Sequence, residues 1–348
     1  MKNSLVAAAL LLASAAPPAA GQMPPLPEVF RRVRPAVVVI ATQQREVAPE
    51  GRRGFVDLRG LGSGVVISET GQVLTAAHVV QTAEQVVVSL SESVVVPARV
   101  VASSPLTDVA LLQLEKVPPG LVAARLGDSS RVEVGDPVFV VGHPFGLDYT
   151  LTTGVLSARR KPRKTSGTMT LSEIFQTDAS VNQGNSGGPM FSMRGEVIGI
   201  VSALVSKSGG FAGLGCATPS NVARQLLLDQ KEFWTGVDGY FVDGEMAGVL
   251  NLPQPAGFLV ERVAGGSAGA RLDLRPGTFR VTIEGETVLL GGDIVLEVLG
   301  VPILDEAAME RVPPALTRLT PGDLLTVKVL RGGNVVELST RVQPPERR

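Results

Sequence analysis

The sequence predicts a mostly β protein built as two successive folded units. Between Ala36 and about Leu204, short β-branched runs recur at even spacing, separated by Gly, Pro, Asp and Ser, which is the pattern of antiparallel barrels or sandwiches. After Trp234 the pattern changes to strands that alternate with short helical stretches. The 348 residues, 44% of them hydrophobic and 19% charged, suffice for two separate cores.

The chain opens with one basic residue, Lys2, an apolar run over 5–16, and small residues with prolines up to Gly21. That run is too short to cross about 30 Å of hydrocarbon, so residues 1–21 read as a cleavable signal peptide for export, most simply to a periplasm, and membrane anchoring is not expected. In the first unit, 27–229, strands are expected over 37–40, 64–67, 85–90, 94–101, 109–114, 137–141 and 196–201. Residues 43–60 interrupt them with Gln, Arg, Glu and Gly and read as a surface loop, as do 159–166, and 205–211 are flexible in composition. Ser220 and Asn221 are placed to cap a helix through about Asp229, with Val222, Leu226 and Leu227 on one face.

The second unit, 233–342, carries strand patterns over 257–263 and 293–299 and a small-residue helix over 267–272. A helix follows from Asp305, and a hairpin over 324–338 turns through Arg331, Gly332, Gly333 and Asn334, leaving 343–348 as a short tail. Residues 278–290 read as an inserted hairpin-like segment. Pro313 and Pro314 are expected to interrupt the helix from Asp305, because proline removes a ladder donor and crowds the preceding turn.

Composition excludes several classes of function. The formal net charge is −1 and no dense Lys/Arg block exists beyond 159–164, so the electrostatic field that nucleic-acid binding needs is missing. Cys216 is the only cysteine and cannot pair within the chain. His78 and His143 stand far apart without a cluster of ligand types, so neither a metal nor a cofactor is implied.

The chemistry is concentrated around Gly184, Asn185, Ser186, Gly187 and Gly188, where a serine sits among glycines that let backbone N–H groups approach an oxyanion. A Gly-x-Ser-x-Gly string also suits the nucleophile elbow of α/β hydrolases, but that fold needs its histidine after the serine, and both histidines here precede it. A serine hydroxyl needs a base, and imidazole, with an ordinary pKa near ~6.5, can take its proton and return it to a leaving amine. His78, at the end of the apolar run Leu74, Thr75, Ala76, Ala77, is the candidate, whereas His143, in a Gly-His-Pro turn, suits packing. Asp108, embedded between Leu106 and Leu112, is the candidate carboxylate, since an acid in such an apolar strand needs a partner. Asp128 and Asp136 look like turn residues, and Asp178 lies close to Ser186 in sequence.

These stretches, over 75–80, 107–112 and 177–190, together with 62–67, 134–156 and 213–222, resemble the HtrA (Deg) family of trypsin-fold serine proteases, from about Pro35 to the end. The resemblance implies a chymotrypsin/trypsin-like pair of antiparallel β-barrels with the site between them, followed by one PDZ domain. It implies Ser186 as nucleophile, His78 as base, Asp108 as its orienter, and an oxyanion hole around Gly184, Asn185 and Ser186, chiefly the Gly184 and Ser186 N–H groups. Ser180, Val181 and Leu204 would line the specificity pocket; none is charged, so cleavage after small or medium aliphatic residues is expected, although barrel packing is their other role. Trp234, Thr235, Gly236 and Val237 resemble the loop with which PDZ domains of this family hold a peptide C-terminal carboxylate. The implied partners are unfolded exported proteins as substrates, peptide C-termini at the PDZ domain, and two further copies in a homotrimer. A rival reading is a peptide-binding chaperone or scaffold whose protease site is latent, and a PDZ fold that only braces the protease is also open.

Overall fold

The structure is a computed structural model that describes residues 24–48, 55–143, 149–160, 173–204, 213–283 and 286–343. The expected leader at 1–21 and the loop segments at 161–166 and 205–211 lie outside these residues.

Six strands, β1 (Val37–Val47), β2 (Phe55–Val66), β3 (Gln72–Thr75), β4 (Ala83–Ser91), β5 (Val94–Ser104) and β6 (Val109–Leu114), close into a barrel in the order β1-β2-β3-β6-β5-β4. Alternation does the sorting: Ile40, Val66, Val73, Val88, Val100 and Leu112 point into its core. A second closed barrel runs β10-β11-β12-β9-β8-β7, made of β7 (Pro137–Gly142), β8 (Thr150–Arg160), β9 (Ile174–Thr177), β10 (Pro189–Ser192), β11 (Val197–Leu204) and β12 (Gly215–Pro219). Closure leaves neither barrel with a free edge. The barrels share an apolar seam of Val37, Val65 and Leu74 from one and Phe139, Val141, Phe191 and Ile200 from the other, with the Phe139 and Phe191 rings stacked at 5.1 Å. Helix α1 (Leu26–Val33) lays Val29 and Val33 onto that seam, and α2 (Ala77–Val80) follows β3.

Two expected loops are corrected. β1 and β2 stay paired out to Val47 and Phe55, so most of 43–60 is hairpin rather than loop, with 49–54 outside the described residues. Its polar run obscured the pattern because the far end does not face the barrel core: Glu46 is buried there against Arg262 of the C-terminal unit. Likewise Arg159 and Arg160 belong to β8, and Arg159 is held in the strand by Glu173 at 2.7 Å and by the Phe175 ring.

After β12, α3 (Ser220–Ala223), which buries Ala223, passes into a π-helical segment, Arg224–Asp229, that buries Leu227. Ser220 and Asn221 are not its caps. Pro219 holds the N-cap position, while Ser220 Oγ donates to Gly127 O at 2.8 Å and Asn221 Nδ2 to Asp128 Oδ1 at 2.8 Å, tying the helix to the second barrel.

The C-terminal sheet has the order β13-β14-β17-β19-β20, from β13 (Val237–Val242), β14 (Gly257–Val263), β17 (Ile294–Val298), β19 (Leu324–Arg331) and β20 (Asn334–Arg341), with β18 (Val301–Pro302) on β17. The inserted segment forms its own hairpin, β15 (Phe279–Ile283) with β16 (Glu286–Leu290). Helices α4 (Gly244–Val249), α5 (Ala268–Arg271) and α6 (Ala308–Thr317) pack on the C-terminal sheet, and Ser267 caps α5 by accepting from Ala270 N at 3.1 Å. Helix α6 runs through Pro313 and Pro314, which corrects the expected interruption. The prolines cannot donate to the carbonyls of Met309 and Glu310, but Glu310 is exposed to water, and burial of Ala308 and Leu316 in the sheet's core holds the helix together.

Candidate active site

His78 lies in the short α2, half of its side chain open to the cleft between the barrels. Asp108 is not in a strand, as its apolar neighbours suggested, but in the turn before β6, with φ +54°. Aspartate enters this left-handed region more readily than most residues, at roughly 1–2 kcal/mol, and the turn aims its carboxylate back at α2. His78 Nδ1 lies 2.8 Å from Asp108 Oδ2 and 3.0 Å from Oδ1, and the His78 backbone N–H donates to Oδ1 at 2.9 Å. An ionised carboxylate only accepts, so Nδ1 carries a hydrogen and Nε2 is left with its lone pair. Ser202 Oγ, from β11, donates to Asp108 Oδ2 at 2.5 Å. Partial burial alone would depress the imidazole pKa; the hydrogen bond to Asp108 and its negative charge outweigh that, and the net shift is upward.

Ser186 is set at the edge of the second barrel by a turn in which Gly184 and Gly187 take φ values of +97° and +81°. A Cβ at Gly187 would overlap Ser63 O and Thr75 Oγ1, so that position admits glycine alone. Buried Ser63, in β2, grips this turn twice: its N–H donates to Ser186 O at 2.8 Å and its Oγ to Gly184 O at 2.6 Å. Thr75 Oγ1 and the His143 N–H bond Ser63 in turn, at 2.8 and 3.0 Å. The Asn185 N–H is committed to Asn182 O at 3.0 Å, which removes Asn185 from the donors available to an oxyanion.

His78, Gln183 and Ser186 line two adjoining cavities. One continues along Gln44, Arg59, Gly60 and Leu61, the other along Pro105, Asp108, Asn182 and Ser202. Among the described residues no hydrogen bond joins the His78 ring to Ser186. Of the expected pocket residues, Ser180 accepts from Thr152 Oγ1 at 2.9 Å through its carbonyl, Val181 is buried in the second barrel's core beside Leu156 and Phe175, and the Leu204 backbone pairs with Gly215. His143 is buried and packs on Tyr149, with ring centroids 4.5 Å apart.

A trypsin-like peptidase domain is matched over residues 62–200. A DegP-like periplasmic serine endoprotease of Pseudomonas putida (strain GB-1) is 37% identical over 305 residues, which is 84% of this chain and 61% of that protein's length. One of Ectopseudomonas mendocina (strain ymp) is 35% identical over 361 residues, covering 93% of this chain and 71% of that protein. Among solved structures, the HtrA-type protease AlgW with a tripeptide superimposes with TM-score 0.53 at 32% identity, covering 93% of this chain and 99% of that one.

The chain belongs to the HtrA (DegP-like) family of serine endoproteases.

The C-terminal sheet follows the two barrels, where the resemblance implied a PDZ domain, and its strands are consistent with one. The structure puts the expected carboxylate loop against the first barrel. Trp234 Nε1 donates to Gln81 O at 3.1 Å, and Gly236 takes φ +66°. Val237 opens β13, an edge strand of its sheet. Arg262 of β14 bridges Glu46 of the first barrel at 2.6 Å and Asp238 at 3.1 Å. Three contributors escaped the sequence reading: Ser63, Ser202 and Gln81. Ser63 lay within a family-like stretch, 62–67, and that was its only signal; nothing local distinguishes Ser202 or Gln81 from other small polar residues of strands and turns.

Proposed function

We propose that this chain is an ATP-independent serine endopeptidase that degrades unfolded or damaged exported proteins through an acyl-enzyme. The Asp108 carboxylate held between His78 Nδ1 and Ser202 Oγ, in the cleft that also exposes Ser186, carries the proposal. Ser186 Oγ attacks the scissile carbonyl while His78 Nε2 takes its proton and passes it to the leaving amine; water then repeats the step to free the acid. Asp108 orients the imidazole and stabilises its charged form. The Gly184 and Ser186 N–H groups stabilise the oxyanion, a donor of this kind contributing about 100- to 1000-fold to turnover. Uncharged Ser180, Val181 and Leu204 favour substrates with small or medium aliphatic residues before the cut.

The loop 234–237 and the open edge of β13 suit a peptide C-terminus that adds as a strand, for recruitment or activation. We further propose domains over 27–229 and 233–342, a periplasmic location after removal of residues 1–21, and a homotrimer. The test is hydrolysis of reduced casein by the chain from Gln22, beside Ser186→Ala, with product ends read by mass spectrometry. Cleavage by the parent alone, after Val or Ala, is the expected result; no cleavage by either, with casein still protected from aggregation, would replace the enzyme with a chaperone.

A further inference from the structure

The open edge of β13 is stoppered by the protease domain. The Ala264 N–H donates to Gly236 O at 2.8 Å, and Val237 faces Val263 across the ladder. That phase turns the N–H and C=O of Val237 away from β14, toward the edge an added strand would use. Both are already engaged. Gln81 Nε2, from the residue that follows the His78 helix, donates to Val237 O at 3.0 Å, and Val237 N–H donates to Thr235 Oγ1 at 3.3 Å. Gln81 Oε1 accepts from Ser103 Oγ at 2.7 Å, and only 5% of Gln81 is exposed, so its amide is fixed in this pose. Pro105 and Leu106, just before Asp108, close the same side of the groove that Phe258, Val312 and Leu316 line from the C-terminal unit.

We propose that Gln81 is an internal competitor for peptide C-termini, holding the backbone acceptor that the last amide of a bound peptide would need. This rests on the reading of 234–237 as a carboxylate-holding loop. A peptide with a free C-terminus displaces the Gln81 amide from Val237 O. Peptide affinity is held down by the one hydrogen bond that must be exchanged.

The test uses the full mature chain with Ser186→Ala, and adds Gln81→Glu or Gln81→Ala. A fluorescent short peptide ending in Val is titrated as free acid and as amide. Gln81→Glu keeps the size and the Ser103 contact but repels Val237 O, and it should bind the free acid about 2- to 10-fold more tightly than the parent, with Gln81→Ala in the same direction. Trp234, the only tryptophan, reports on the same contact, and its emission should shift on peptide binding and be shifted beforehand in Gln81→Glu. Equal affinities in all three proteins, with the free acid preferred over the amide, would leave the loop reading standing and sink the stopper. Binding of neither peptide, or of both alike, would sink the loop reading and the stopper with it.

Discussion

The Ser202 hydroxyl of the second barrel donates to Asp108 Oδ2 of the first at 2.5 Å, so the carboxylate is gripped from two sides, by one residue of each barrel. Hydrogen bonds to a charged group are worth about 1.5–3 kcal/mol. Ser202→Ala should therefore lower kcat by about 10-fold or somewhat more while the melting transition stays near that of the parent. Unchanged kcat would mean that α2 alone orients Asp108.

The pH dependence follows from the raised pKa of His78. Catalysis needs the neutral ring, so activity should rise with pH through a midpoint above the ordinary ~6.5. Because the folded-state pKa is the higher one, this pair stabilises the fold fully below ~6.5, and the contribution is lost as pH climbs through the folded value. In Asp108→Asn the partial burial that depresses the ring would act without its opponent. NMR titration of His78 in that variant should show a pKa below the parent's, and kcat should fall about 10⁴-fold because the imidazole loses its correct tautomer.

Ser63 is a positioning residue for the turn that carries Ser186. Ser63→Ala frees Gly184 O while keeping the backbone bond to Ser186 O. The expected result is kcat reduced about 10- to 100-fold with KM little changed, since a misaimed Gly184 N–H weakens only the transition state. A matching rise in KM would indicate a general loosening of the cleft.

Arg262 neutralises Glu46, Asp238 and Glu261 together, and Glu46 and Glu261 are largely buried. Arg262→Ala leaves Glu46 with only the longer contact to Arg280 and Glu261 with only the Leu289 N–H, and should destabilise the docking of the C-terminal unit by about 2–3 kcal/mol, visible as an early phase in urea unfolding. Adding Glu46→Gln should recover part of the loss. A single unshifted transition would show that the apolar contacts around Trp234 suffice.

The strands were legible where a segment meets an apolar core: 109–114 in the first barrel and 257–263 in the C-terminal sheet were readable to the residue, because burial imposes alternation or continuous apolarity there. The outer half of the β1–β2 hairpin was not, since its polar side chains find partners far along the chain rather than an apolar layer: Gln44 donates to Val79 O and Glu46 pairs with Arg262. His78, Asp108 and Ser186 were nameable from chain order and chemistry. The turn conformation of Asp108 was hidden by its apolar flanks, and Ser63, Gln81 and Ser202 were hidden because their roles exist only once residues far apart in the chain meet.

The ladder between β11 and β12 slips between Val201 and Leu204, beside the proposed nucleophile. Under the proposed endopeptidase reading, a substrate that docks beside this break as an added strand must arrive extended with its own amides unspent. A well-folded protein, whose amides are already paired, would then offer nothing to grip, while the same polypeptide after partial unfolding would, so conformation would be selected ahead of side-chain identity.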